Sequence, residues 1–120
     1  MPKILCVDDD ADIRRLYSEE LTEEGYQVFE ASNGKEAVAK FPRVQPDLVI
    51  LDIQMPQMDG VHALNDLLGK NRRIPVILNT AYPQYKNNFM TWGAEAFVVK
   101  SSDLGELKHK VRQVLGKPKR

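Results

Sequence analysis

The chain has a single cysteine, Cys6, in 120 residues, which excludes an internal disulfide. Cys6 lies inside an apolar run and reads as a buried small hydrophobe, compatible with a reducing cytosol. Net charge is missing as well: seventeen basic and seventeen acidic residues sum to +0. Whole-chain charge therefore gives no reason to expect binding to nucleic acid or an anionic membrane. The only basic cluster, Lys117-Pro118-Lys119-Arg120, reads as a frayed end or linker stub. No apolar stretch approaches the roughly 20 residues a membrane helix needs, and the first residues lack the pattern of a signal peptide. Low-complexity segments and internal repeats are absent too. What remains is ordinary for a globular protein, with 42% hydrophobic and 28% charged residues. We expect one cytoplasmic domain over residues 1–116, large enough for a real core, with 117–120 a C-terminal tail or linker stub.

The stretch around which the chain is organised is Leu48-Val49-Ile50-Leu51-Asp52-Ile53-Gln54-Met55-Pro56. Four apolar residues run straight into one carboxylate. Such a run reads as a short strand buried on both faces. Asp52 then stands at its carboxyl end, where an open parallel sheet places its ligand crevice. From the amino terminus, Lys3–Val7 is a first strand, followed directly by Asp8, Asp9 and Asp10. A helix from about Ala11 to Glu24 sets Ile13, Leu16, Tyr17 and Leu21 on one face, with Gly25 at its end. Tyr26–Ala31 carries Gln27 and Glu30 and reads as an edge strand. Asn33 with Glu36 resembles a capping box, before a helix that buries Ala37, Val38 and Phe41 and stops near Pro42.

After the Asp52 strand, Asp59-Gly60 opens a third helix to about Lys70, with Val61, Leu64 and Leu68 inward. Ile74–Leu78 is a fourth strand, followed by Asn79 and Thr80. A short, poorly patterned fourth helix runs from Pro83 to about Met90. Ala96–Val99 is a fifth strand, followed by Lys100. Asp103 with Glu106 again resembles a capping box, and the last helix buries Leu104, Leu107, Val111, Val114 and Leu115 before Gly116. Five alternations of strand and helix argue an α/β fold with a parallel sheet covered on both faces. The apolar strands belong in the middle and the polar second strand at an edge. With right-handed crossovers this favours the order 2-1-3-4-5, a flavodoxin-like (βα)5 three-layer sandwich.

In that arrangement four strand ends meet on one edge, bringing together Asp8, Asp9, Asp52, Thr80 and Lys100. Three crowded carboxylates repel, and a divalent cation among them relieves the cost. A hard, oxygen-liganded ion such as magnesium suits them, particularly beside phosphate. Asp52 is then placed to act as a nucleophile that accepts a phosphoryl group, with Thr80 and Lys100 contacting its oxygens. Each residue also has a plain reading. Aspartates after a strand make turns and helix caps, and a lone Thr or Lys there is often structural or solvated. The coincidence at four strand ends weighs against the plain reading.

These pieces resemble the receiver domain of two-component response regulators over essentially the whole chain. The matching segments are Ile4–Asp10, Asp47–Pro56 with Asp59-Gly60, Pro75–Ile77, Thr80–Tyr82 and Gly93–Lys100. The resemblance implies phosphorylation at Asp52 from a histidine kinase or phosphotransfer protein. It implies magnesium (or manganese) held by Asp9, Asp52 and the Gln54 backbone carbonyl, with Asp8 acting through water. Thr80 and Lys100 would hold the phosphoryl group, Thr80 and Phe97 would switch, and Gln54 and Tyr82 would tune the lifetime of the phosphoryl group. A bulky Tyr82 implies a longer lifetime than in fast chemotaxis-type regulators. The output face would join the fourth helix, fifth strand and last helix, with Tyr85, Phe89, Trp92 and Lys108 available to an output partner or a phosphorylation-dependent homodimer.

In one respect the chain departs from the family. Ser101 follows Lys100 where many receivers have proline, so we expect a trans bond there. Such a domain phosphorylates itself and dephosphorylates slowly, without turning over small substrates. It is either a stand-alone regulator or part of a longer one. Two rivals stay open. A metal-dependent phosphohydrolase would need an acid/base carboxylate two residues after Asp52, where Gln54 stands. A receiver-shaped interaction module that is never phosphorylated would not need all five site residues.

Overall fold

The computed structural model describes residues 1–52, 58–71, 73–81, 93–100 and 103–116, with backbone alone for 58–63. Its strands are β1 (Lys3–Val7), β2 (Gln27–Ala31), β3 (Leu48–Leu51), β4 (Val76–Thr80) and β5 (Ala96–Val99). Its described helices are α1 (Ala11–Glu23), α2 (Gly34–Val44), α3 (Met58–Lys70) and the last helix, α4 (Gly105–Leu115). The expected fourth helix, with Tyr85, Phe89 and Trp92, lies outside the described residues, as do Gln54, Tyr82, Ser101 and the tail 117–120.

All strand pairs are parallel, and the sheet order is β2-β1-β3-β4-β5. Alternation along each strand divides the core in two. Ile4, Cys6, Leu48, Ile50, Ile77 and Val98 face Tyr17 and Leu21 of α1 and Leu107 and Val111 of α4. Leu5, Val7, Val49, Leu51, Leu78 and Phe97 face Ala37 and Phe41 of α2 and Leu64 and Leu67 of α3. These are the three expected layers. Cys6 is buried, and burial pushes its thiol up to about 12, so it is unreactive near neutral pH. Among the described residues no helix is long and apolar enough to cross a membrane.

Local chemistry sets the element ends. Asp10 caps α1 by accepting from the Asp12 and Ile13 amides. Gly25 follows that helix at φ +100°, a conformation that side chains strain to adopt. Asn33 Oδ1 accepts from the Glu36 amide at 2.8 Å, and Glu36 reaches back to the amide and hydroxyl of Ser32. Pro42 is tolerated within α2, which ends two residues later.

Three expectations change. Leu16 is 42% exposed. Ile13, Tyr17 and Leu21 form a stripe four residues apart, and Leu16 lies about 100° around the helix from Tyr17. β4 is Val76–Thr80 rather than Ile74–Leu78, so Thr80 closes the strand instead of following it. No capping box forms at α4: its N-cap is Leu104, and Asp103 instead accepts from the Gly105 amide. Lys108 also pairs with Glu20 of α1, as Arg112 pairs with Glu24.

Candidate functional site

Sheet register assembles the site. Val7 pairs with Leu51, so the next residues, Asp8 and Asp52, leave adjacent strand ends together. The Asp52 amide bonds to the Val7 carbonyl at 2.9 Å. Thr80 pairs with Val99, and the Lys100 amide bonds to the Thr80 carbonyl at 2.8 Å. Asp8, Asp52 and Lys100 each stand two residues beyond a side chain facing α1 and α4, namely Cys6, Ile50 and Val98. Strand alternation therefore turns all three toward one side of the edge. Thr80, buried at the end of β4, continues the opposite pleat through Leu78.

The side chains meet accordingly. Lys100 Nζ lies 3.0 Å from Asp8 Oδ2 and 3.2 Å from Asp52 Oδ1. Asp8 and Asp52 are 2% and 5% exposed in their side chains, and Lys100 is 20% exposed. Carboxylate oxygens of Asp8, Asp9 and Asp52 all lie within 4.8 Å of one another. Burial, then the Asp8 charge, raises the Asp52 carboxyl to about 6, and Lys100 opposes part of that shift. Burial pulls the Lys100 ammonium down, but its contacts with Asp8 and Asp52 outweigh it and leave the ammonium above its ordinary value.

A divalent cation fits this chemistry. Three carboxylates against one ammonium leave two negative charges in a half-buried space. The donors are all oxygens, which suit a hard ion. Asp8 Oδ2 is buried and accepts no well-formed hydrogen bond among the described residues; the Lys100 ammonium is its charged neighbour. The structure thus brings Asp8, Asp9, Asp52 and Lys100 into one cluster and sets Thr80 on the same edge. Phe97 is buried in the opposite core layer, beside Leu78 in register. The Gln54 and Tyr82 expectations lie outside the described residues.

Two features escaped the sequence reading. Arg14 donates from Nη1 to the Asp8 carbonyl at 2.6 Å and from Nε to Glu30 Oε1 at 3.1 Å. Its position within the first turns of the helix after the acidic run was the available signal. Tyr17 was read as core, and it is core, but its hydroxyl also donates to Asn79 Oδ1 at 2.7 Å. Asn79 Nδ2 in turn donates to the Val98 carbonyl at 3.3 Å. This buried bridge ties α1 to the strand end that carries Thr80.

A parallel 2-1-3-4-5 sheet with an acidic cluster and a lysine at its carboxyl edge defines a receiver-type α/β domain. The family profile of the response regulator receiver domain matches residues 4–112, and the chain belongs to that family. Regulatory protein AtoC of Escherichia coli is 38% identical over 115 residues, covering 94% of this chain and 25% of that protein. Sporulation initiation phosphotransferase F of Bacillus subtilis is 37% identical, covering 94% of this chain and 93% of that protein. Against AtoC and the probable transcriptional regulator ycf27 of Pyropia yezoensis, the chain spans only 25% and 47% of their lengths. Among solved structures, response regulator protein TrrA from Thermotoga maritima, in complex with Mg(2+)-BeF, superposes with a TM-score of 0.87. It is 45% identical, over 95% of this chain and 99% of that one. Histidine kinase ThkA in complex with TrrA gives a TM-score of 0.85 at 45% identity, over 96% and 99%.

Proposed function

We propose that this chain is a phosphoacceptor switch, charged at Asp52 by a histidine kinase or phosphotransfer protein. The observation that carries this is the placement of Asp52. Its carboxylate is nearly buried at the centre of the edge, 3.2 Å from Lys100 and clustered with Asp8 and Asp9. An Asp52 oxygen attacks the phosphorus of a phosphohistidine. The P–N bond breaks, the histidine leaves with its electron pair, and an acyl phosphate forms on Asp52. Asp8, Asp9 and Asp52 would hold magnesium, which supplies neutralisation of charge on the transferring group. Lys100 already bridges Asp8 and Asp52, and its ammonium is placed to pair with a phosphoryl oxygen. Thr80 ends the adjacent strand, and its hydroxyl would contact the same group once turned toward it. Movement there passes to Phe97, whose strand is paired with β4, and so to the face formed by β5 and α4.

The likeness to TrrA, a protein seen with both Mg(2+)-BeF and a histidine kinase, supports this reading. The test incubates the protein with magnesium and acetyl phosphate and follows intact mass, beside Asp52→Asn. One magnesium-dependent phosphoryl adduct, absent in the variant, is the expected result. No adduct despite magnesium binding favours an unphosphorylated module or strict dependence on a cognate kinase. Continuous release of phosphate at high turnover favours the phosphohydrolase.

A further inference from the structure

We infer that Arg14 is a positioning residue for the cation site, acting through the backbone of Asp8 rather than by touching the ion. This rests on the phosphoacceptor reading of the site and goes beyond it.

The acidic loop is fastened at several points. The Asp8 amide continues the sheet by donating to the Ala31 carbonyl at 3.1 Å. Asp8 Oδ1 accepts from the Asp10 amide at 2.9 Å, and Asp10 in turn caps α1. The Asp8 carbonyl lies in the peptide that leads into Asp9, and it takes the Arg14 Nη1 proton at 2.6 Å. Arg14 is itself aimed by Glu30, which sits on β2 opposite Cys6 of β1. The Glu30 carbonyl is bonded by Lys40 Nζ of α2 at 2.6 Å. One guanidinium therefore joins α1, β1 and β2 at the peptide that orients Asp9. The Arg14–Glu30 pair is partly exposed, and such pairs do little for stability alone. The bond to a backbone carbonyl beside the ligand set is the part that bears on the site.

The sign of the effect separates positioning from simple charge. Arg14 is a cation near a site for a divalent cation, so deleting it relieves repulsion. Electrostatics alone makes Arg14→Ala bind magnesium more tightly, and Glu30→Gln, which removes an anion, more weakly. Positioning makes the opposite prediction for Arg14→Ala and expects little change in Glu30→Gln, whose amide oxygen still accepts from Arg14. Loss of the residues that orient metal ligands typically lowers affinity about 10- to 100-fold.

The test titrates magnesium chloride into the full chain by calorimetry, without phosphoryl donor, for wild type, Arg14→Ala, Arg14→Lys and Glu30→Gln. Metal-free thermal melts run alongside. We expect Arg14→Ala to lose about tenfold in affinity. Arg14→Lys keeps a donor for the Asp8 carbonyl and recovers most of that loss. Glu30→Gln leaves the carbonyl bond in place and stays close to wild type. Saturating magnesium restores the rate of phosphoryl adduct formation in Arg14→Ala, so the defect is one of affinity. Should Arg14→Ala fail to fold, the Lys and Gln variants carry the test: a Glu30→Gln loss greater than the Arg14→Lys loss overturns the inference. Unchanged or tighter binding by Arg14→Ala overturns it too and leaves the phosphoacceptor reading intact. A wild type that binds no magnesium overturns both.

Discussion

Asp52→Asn should stabilise the metal-free protein at neutral and alkaline pH, although it removes a partner of Lys100. Burial and the Asp8 charge raise the Asp52 carboxyl from 3.8 to about 6 in the folded state. The folded protein thus holds this proton more tightly than the unfolded chain does. Its contribution to stability is fully present below about pH 4 and is lost as pH rises through about 6. The span is roughly 2 units, or about 3 kcal/mol, and water at the rim of the site trims this to about 2–3 kcal/mol. The pull of Lys100 is already counted in that shift. For a domain of this size, 1 kcal/mol moves the melting point by about 4 °C, so the gain is about 10 °C. The assay is thermal unfolding followed by circular dichroism in chelator at pH 4 to 8. Asparagine resembles the protonated acid, so the two proteins should melt together near pH 4 and separate above pH 6. Added magnesium should then raise wild type and close the gap, because it binds only the folded state. A gap that is absent at pH 8, or undiminished at pH 4, refutes the argument that buried charge crowding governs Asp52.

Two further outcomes follow from packing. Tyr17→Phe keeps the ring but leaves Asn79 Oδ1 without its 2.7 Å donor, which should cost about 1–3 kcal/mol in urea unfolding with little change in slope. Leu64→Ala empties a fully buried position under the sheet and should cost about 2–5 kcal/mol, whereas Leu16→Ala, on the exposed side of α1, should stay within about 0.5 kcal/mol. Equal losses at the two leucines would contradict the orientation of α1 described above.

Local pattern carried much of this protein. Leu48–Leu51, four buried residues ending in Asp52, was legible as a central strand because burial on both faces leaves no polar alternation. Gln27 and Glu30 marked β2 as an edge for the converse reason, and the strand order followed from crossover handedness. Once the strands were parallel, Asp8, Asp9, Asp52, Thr80 and Lys100 had to share an edge. Recognition of the receiver motifs added the individual roles, and those for Gln54 and Tyr82 rest on that resemblance.

Other features depended on distances between residues far apart in the chain. Tyr17 and Asn79 are 62 positions apart, and Lys108 and Glu20 are 88 apart. A helical period tells which way a side chain points but not what stands across from it. Tyr17 could thus be read as core while its hydroxyl partner stayed hidden. The acidic partner of Lys108 stayed hidden because it belongs to a different helix. The role of Arg14 emerges only where the ends of β1 and β2 come within reach of one guanidinium. The raised Asp52 carboxyl has the same origin. Composition can list the charges, but only the folded chain removes water from around them and sets Asp8 and Lys100 beside Asp52, and that desolvation decides how tightly Asp52 holds its proton.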